Sequence, residues 1–235
     1  MVRISLIVLV CAVFLFADNV PDENSLFWGG RLSILGGSAW NDKAVKGVFS
    51  SSNQYIEESK MLKNADFGFE AGALCWYRFN RFIGLEGEAN VRMTGFTLEN
   101  RIYNRPVDGE IDEENDVSFY VWSFNTPLLF RVMPTRSTYL ETGAQFNLNL
   151  GGSIENEDDS FDVDIEKMGW GLVFGAGALS YLPRQHLLWS AGVRVAMDMT
   201  RIEKEGIVEI RKGSAYRESS PLKLFNIQLN GTFYF

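Results

Sequence analysis

Residues 221–235 close the chain with PLKLFNIQLNGTFYF, a stretch in which apolar and polar side chains alternate. Counted back from the end, every second position is apolar or glycine: Phe235, Phe233, Gly231, Leu229, Ile227 and Phe225. The positions between them are largely amides and hydroxyls: Tyr234, Thr232, Asn230, Gln228 and Asn226. Strict alternation predicts a β-strand whose two faces meet different surroundings. A soluble sheet over a core and a strand in a lipid bilayer both give this pattern, so the rest of the chain must distinguish them.

The same alternation recurs upstream and predicts eight strands. Their approximate ranges are 26–40, 65–79, 82–98, 117–133, 137–151, 167–182, 187–202 and 221–235. Three connections are tight (80–81, 134–136 and 183–186) and four are long and polar (41–64, 99–116, 152–166 and 203–220). Long and short connections alternate, so the long loops lie at one end and the tight turns and both termini at the other. This layout is typical of a transmembrane β-barrel. We therefore predict an all-β, eight-stranded antiparallel up-and-down barrel over residues 26–235.

Composition and the N-terminal residues narrow the class further. The 235 residues carry 46% hydrophobic residues and a formal net charge of −8, which predicts a folded chain without a nucleic-acid partner. Residues 1–17 combine one Arg with an apolar run, which predicts a secretory signal peptide cut after Ala17; an uncleaved anchor is the alternative. Residues 18–25 would then form a short periplasmic segment. Cys75 would be the only cysteine left, so we expect no internal disulfide.

The polar face of each strand is predicted to line the lumen, because the apolar face of a membrane barrel meets lipid. Only a closed sheet pairs every backbone group of a strand in lipid, so the first strand, near Phe27–Leu35, must pair with the last. Nine charged side chains fall on the inward face: Arg31, Glu70, Glu86, Glu88, Arg92, Arg131, Glu141, Arg194 and Asp198. The interior of an eight-stranded barrel is just wide enough for side chains to fill, so these charges are expected to pair and plug it. A narrow polar pore is the alternative.

One segment, residues 124–152, resembles a known family. It reads FNTPLLFRVMPTRSTYLETGAQFNLNLGG, with Pro-Leu-Leu at Pro127–Leu129, a tight turn at Pro134–Arg136, and Tyr-Leu-Glu at Tyr139–Glu141. These features, the GWGLVFGAGALSYL strand that follows and the terminal Phe resemble the PorT-type outer-membrane β-barrel family. The resemblance implies a barrel in the bacterial outer membrane, with lipid and the barrel-insertion machinery as partners and Phe235 as the insertion signal. It supplies no catalytic, cofactor-binding or metal-binding residue, and we predict none.

Enzyme chemistry is not expected. The sole histidine, His186, falls in a predicted periplasmic turn, and Cys75 alternates with apolar residues on the lipid face. No base and nucleophile therefore share a plausible geometry. Glycines at 169, 171, 175 and 177 share one face of their strand, which fits a crowded lumen better than a roomy ligand cavity.

The function class follows from these patterns. Two long loops are acid-rich, at 108–116 and 155–166. Such runs are usually solvated, although oxygen-rich extracellular loops could bind divalent cations weakly. We predict an outer-membrane barrel with a structural or surface-interaction role. The alternatives are a channel for small solutes or hydrophobic compounds, and a secreted lipocalin-like barrel whose apolar face lines a cavity.

Overall fold

Eight long strands form the body of the protein. The computed structural model describes residues 24–40, 47–49, 54–57, 66–104, 111–155, 160–163, 165–182, 187–202, 215–217 and 223–235. The long strands are β1 Ser25–Trp40, β2 Asp66–Arg78, β3 Ile83–Asn104, β4 Ile111–Val132, β5 Thr138–Glu155, β6 Met168–Leu182, β7 Leu187–Asp198 and β8 Lys223–Tyr234. Each of the eight overlaps one of the segments predicted from alternation, although β3, β4 and β5 run longer than predicted.

The sheet closes on itself. Each long strand pairs antiparallel with the next one along the chain, and β1 pairs antiparallel with β8 from Gly29↔Tyr234 to Trp40↔Lys223. The first and last strands therefore leave no open edge between them, as backbone in lipid requires. The predicted closed, eight-stranded, antiparallel, all-β barrel is confirmed.

The predicted loop at 99–116 is mostly strand. β3 and β4 continue their ladder past the barrel, with Asn100 opposite Asn115 and Arg101 opposite Glu114. The sequence of this extension is mainly polar, so alternation gave no signal there. Four short strands extend the sheet at this end. Gln54–Glu57 pairs with β3 and Ser160–Val163 with β5. Gly47–Phe49 then pairs with Gln54–Glu57, and Ala215–Arg217 pairs with Gly47–Phe49. A ribbon of sheet thus rises from the long-loop end.

The outer surface of the barrel is apolar. Leu229 is 59% exposed, and the same outward face holds Val193 and Phe233, which are also exposed. Similar side chains cover the other strands, among them Leu32, Ile34, Phe69, Val91, Phe124, Leu128, Phe130, Leu140, Phe146, Trp170 and Phe174. This surface suits lipid and would be wrong for a soluble barrel in water, so the lipocalin-like alternative is not supported.

The lumen is layered, which the sequence did not predict. Its middle holds the charged residues beside a small apolar cluster of Leu129, Val173 and Ala196, and a larger apolar cluster lies at each end. The cluster at the tight-turn end contains Leu74, Trp76, Met133, Tyr139, Leu179, Leu188 and Tyr234. The cluster at the long-loop end contains Ala39, Phe96, Phe119, Val121, Ile165, Ile202 and Leu224. Outer-membrane barrels place their short turns in the periplasm, so we refer to these as the periplasmic and extracellular clusters.

Two of the tight turns, at 80–81 and 134–136, are stabilised by side-chain hydrogen bonds to the backbone. Asn80 Oδ1 accepts hydrogen bonds from the backbone N–H groups of Phe82 and Ile83 at 2.8 and 3.0 Å. Thr135 Oγ1 does the same for Thr138 N–H at 3.0 Å. Short polar side chains of this kind replace backbone partners in turns. Among the described residues, no helix is long and apolar enough to cross a membrane.

Candidate functional site

All nine predicted lumen charges point inward and are buried. Their exposed fractions run from 0% for Glu86, Arg92 and Arg131 to 7% for Asp198. They come from six strands, all except β6 and β8, because alternation places every second side chain of each strand in the lumen. They are not all in contact, however: the structure divides them into a tight central cluster, one loose pair and one isolated carboxyl.

Two arginines organise the central cluster. Arg131 contacts Glu86 through Nη1–Oε2 at 2.8 Å and Glu141 through Nε–Oε2 at 2.9 Å. Arg194 Nη2 lies 2.7 Å from Glu88 Oε1 and 3.3 Å from Glu86 Oε1, and its Nε donates to Glu141 Oε1. Each guanidinium therefore bridges carboxylates from different strands. Arg131 joins the two strands that flank its own, whereas Arg194 on β7 reaches β3 on the opposite wall.

Arg31 adds a third cation to this cluster. Its Nη1 donates to Glu88 Oε1 and lies 3.8 Å from Glu86 Oε1. Asn90 Nδ2 donates to the other oxygen of Glu88 at 2.8 Å. The central cluster thus has three arginines against three carboxylates, and this charge balance is what buried ions require.

A looser pair lies nearer the extracellular end. Arg92 Nη2 is 3.9 Å from Asp198 Oδ2, and Asp198 Oδ1 accepts from the side-chain amides of Gln145 and Asn147 at 2.8 Å each. The side-chain oxygen of Asn125, in the amide orientation that satisfies its neighbours, accepts from Arg92 Nε and Nη1 at 3.1 Å. Neutral amides therefore supply much of the hydrogen bonding here.

Glu70 stands apart from the other carboxylates. It is buried at 2% exposure, and among the described residues no Arg or Lys lies within ion-pair distance of it. Its hydrogen bond from Asn90 Nδ2 is long, at 3.4 Å. The predicted pairing of all nine charges is therefore incomplete at this position.

Aromatic residues and a fifth arginine were missed from the sequence. Tyr234 accepts from Arg131 Nη1 at 2.6 Å and donates to Glu86 Oε2 at 3.2 Å. The Arg131 guanidinium also lies 4.3 Å from the ring centre of Tyr139. Arg78 is fully buried and donates to the carbonyls of Asn80 and Arg81 in the adjoining turn. Arg78 is an even number of positions from Glu70, so the alternation of β2 could have placed it inward.

The glycines of β6 make room for these side chains, as predicted. A Cβ added to Gly175 would stand 2.7 Å from Glu141 Oε1 and 2.8 Å from Arg194 Cγ. Gly171 faces Asp198 in the same way. Larger residues at these positions would push the carboxylates and guanidinium away from one another.

The remaining predicted features are only partly described. Phe235 is 77% exposed at the periplasmic rim, and its backbone pairs with Trp28 through N–H and C=O at 2.8 and 3.2 Å. Cys75 is half-buried on the outward face. Residues 1–23 and His186 lie outside the described residues, as do most side chains of the two acidic loops.

Comparison with known proteins found one matching family model and several similar solved structures. A family model described as outer membrane protein beta-barrel domain matches residues 16–200. Ail of Yersinia pestis, solved with the heparin analogue sucrose octasulfate, is 13% identical over 90% of this chain and 99% of its own, at a TM-score of 0.39. Neisserial surface protein A is 13% identical over 88% of this chain and 97% of its own, at a TM-score of 0.44. The outer membrane protease OmpT of Escherichia coli is 8% identical over 93% of this chain and 99% of its own, at a TM-score of 0.47. No curated protein matches the chain.

Proposed function

The chain belongs to the outer membrane protein beta-barrel domain family, and we propose that it is a closed, non-conducting barrel whose role lies at its extracellular surface. Its place is the bacterial outer membrane, with lipid around its apolar belt. The role at the cell surface is either structural or an interaction with a partner, and the barrel anchors the extracellular part of the protein in the membrane.

The observation that supports this proposal is the layered lumen. An ion passing through would have to cross two apolar clusters and separate the ion pairs of Arg131 and Arg194. Breaking a buried pair by removing one partner typically costs about 3–5 kcal/mol, because the other charge is left uncompensated. A pathway that must disrupt several such pairs at once would be closed nearly all of the time.

Planar-bilayer recording tests the proposal. The purified full-length protein should give no stable conductance steps. A matched variant, Leu229→Ala, changes only the lipid face and should be equally silent. The double variant Glu141→Ala, Arg194→Ala removes two bulky lumen side chains together. It should conduct more ions than the unmodified protein or Leu229→Ala. Large stable steps from the unmodified protein would contradict the proposal and favour the channel alternative.

The extracellular ribbon supports the surface role. β3 and β4 continue beyond the barrel as a paired ladder, and Gln54–Glu57 adds a further strand to β3. Sheet that extends above the lipid offers backbone and side chains to the medium, where the acid-rich loops 108–116 and 155–166 also lie in sequence. We propose that these loops bind divalent cations only weakly. Calcium titration of the protein by calorimetry, against a variant with loop 155–166 neutralised, would measure this.

Four finer assignments are also proposals. The PorT-type relationship is supported by the Pro127–Leu129 and Tyr139–Glu141 motifs. The absence of enzyme activity is supported by the lipid-facing position of Cys75. The division into a signal peptide at 1–17, a periplasmic segment at 18–25 and a barrel at 26–235 can be checked by N-terminal sequencing of the protein from outer membranes. Insertion through the barrel-insertion machinery is proposed with Phe235 as its signal.

A further inference from the structure

A second set of buried polar groups lies on the periplasmic side of the charged cluster. Tyr139, Gly177, Gly192 and Asn230 stand opposite one another on the four adjacent strands β5 to β8. A Cβ on Gly192 would stand 2.7 Å from the Tyr139 hydroxyl and 3.1 Å from Asn230 Oδ1. The tyrosine side chain therefore crosses the two glycines and brings its hydroxyl close to the amide of Asn230.

The polar atoms around this point have no hydrogen-bond partners within the described part of the chain. They are the Tyr139 hydroxyl, both amide atoms of Asn230, Ser190 Oγ and Thr232 Oγ1. All four side chains are buried, with exposed fractions of 1%, 5%, 0% and 0%. Ser190 and Thr232 face each other across the β7–β8 pair, one inward position from Gly192 and Asn230. Buried polar groups in native proteins are nearly always hydrogen-bonded, so this group requires a ligand.

Two guanidinium groups border the same space. Arg31 is opposite Thr232 in the β1–β8 pair, and Arg131 packs against the Tyr139 ring. Each has one Nη2 atom without a protein partner among the described residues. The site therefore offers donors from guanidinium and amide groups, together with hydroxyls that can both donate and accept.

The chemistry of these groups selects a small neutral ligand. An anion is disfavoured, because the central carboxylates Glu86, Glu88 and Glu141 already occupy the cations next to the site. A metal ion is disfavoured by the guanidinium donors. Water both donates and accepts, so it matches the mixture of donors and acceptors at this site.

We infer that Tyr139, Ser190, Asn230 and Thr232 enclose a cluster of ordered water molecules between the charged cluster and the periplasmic apolar cluster. The Tyr139 hydroxyl and Asn230 Oδ1 lie within reach of one bridging water, since both approach the same point over Gly192. The waters complete the hydrogen bonds of the four side chains and solvate the free Nη2 groups of Arg31 and Arg131. The lumen is then wet at this level although both of its ends are apolar.

Radiolytic hydroxyl-radical footprinting of the refolded full-length barrel tests the inference, because radicals form from bound water as well as from bulk water. Tyr139 should be modified several-fold faster than Phe96 and Phe119, which are equally buried in the extracellular apolar cluster. Modification of Tyr139 should fall toward their rate in the Asn230→Leu, Thr232→Val double variant. A Tyr139 rate no higher than that of the two phenylalanines would overturn the inference.

A second measurement separates a hydrated hydroxyl from a dry one without relying on footprinting. Thr232→Val is nearly isosteric and removes only the polar atom. If the Thr232 hydroxyl binds water, the urea midpoint of unfolding in detergent should fall. Thr126→Val on the outward face is the control and should not lower the midpoint. An unchanged or raised midpoint for Thr232→Val would mean that the hydroxyl has no water partner, and it would contradict the inference.

Discussion

Individual side chains in the lumen differ in how much they depend on a counter-charge. Glu141 accepts from both Arg131 and Arg194, whereas the one contact of Glu70 within the described part of the chain is the long one from Asn90. Both carboxyls were predicted from sequence to belong to one paired network. Alternation identifies the face on which a charge lies, but it does not reveal which charges meet. Arg194, for example, contacts Glu88 across the lumen although the two residues are 106 positions apart in the sequence. That contact depends on strand register.

Neutralising the two carboxyls should therefore have unequal effects. Glu141→Gln leaves two buried guanidinium groups short of a counter-charge and should cost roughly 3–5 kcal/mol of unfolding free energy. Glu70→Gln keeps the same shape and removes no ion pair within bonding distance, so it should be close to neutral. Urea titrations of both variants refolded in the same detergent give the comparison. Equal losses would show that Glu70 is as strongly paired as Glu141.

Charge on the lipid face should be costly in a depth-dependent way. Leu229 and Val193 are opposite each other near the middle of β8 and β7, and both point outward. Leu229→Arg or Val193→Arg should each destabilise the barrel by about 2–4 kcal/mol near the bilayer midplane. Leu26→Arg, at the start of β1, should cost only about 0–1 kcal/mol because it is near the interface. Refolding titrations into lipid vesicles measure all three, and neutral effects at both central sites would invert the assignment of inside and outside.

The strands were the most predictable elements, because lipid on one side and packed polar side chains on the other give each a clear two-residue period. The two-residue alternation is lost where a strand no longer lies between lipid and packed polar side chains. β3 and β4 run on to Asn104 and from Ile111 without alternation, and the lumen ends are apolar although the same face is polar in the middle. The sequence pattern therefore located the membrane-spanning strands, but it did not predict the ribbon above them or the periplasmic and extracellular clusters in the lumen.

The ribbon should be separable from the barrel. Joining Asn100 to Asn115 with a short Gly-containing turn removes residues 101–114, which pair only above the membrane. The shortened protein should still fold and keep its boiled-versus-unboiled mobility shift on a gel, because the closed ladder and the lumen network remain. A matched control shortens the β7–β8 connection within 203–214. Loss of the mobility shift in the 101–114 deletion alone would mean that the ribbon contributes to barrel folding.

The barrel as a whole is fixed by closure rather than by any single contact. β8 pairs along nearly its whole length with both β1 and β7, so it closes the free edge of β1 from Gly29 to Trp40. Closure was foreseeable from sequence, since an open edge in lipid would leave backbone groups unpaired. The arrangement of charges inside could not be foreseen in the same way, because strand stagger sets the height at which inward side chains meet.

Deleting Phe235 should have different effects on the stability of the folded barrel and on its insertion into the outer membrane. Its side chain is 77% exposed at the rim, so deletion removes little buried surface. The backbone pair between Phe235 and Trp28 is lost, but the ladder from Gly29↔Tyr234 onward remains. We therefore expect the deleted protein to refold in detergent with a nearly unchanged urea midpoint.

In cells the same deletion should lower the amount of protein in the outer membrane, because the terminal aromatic is proposed to be read by the insertion machinery. Quantitative blotting of outer-membrane fractions against the full-length protein measures this. Phe235→Tyr, which keeps a terminal aromatic, should restore abundance, whereas Phe235→Ala should not. Equal abundance of all four proteins would leave Phe235 as an ordinary aromatic of the periplasmic girdle, whose contribution is contact with the lipid interface alone.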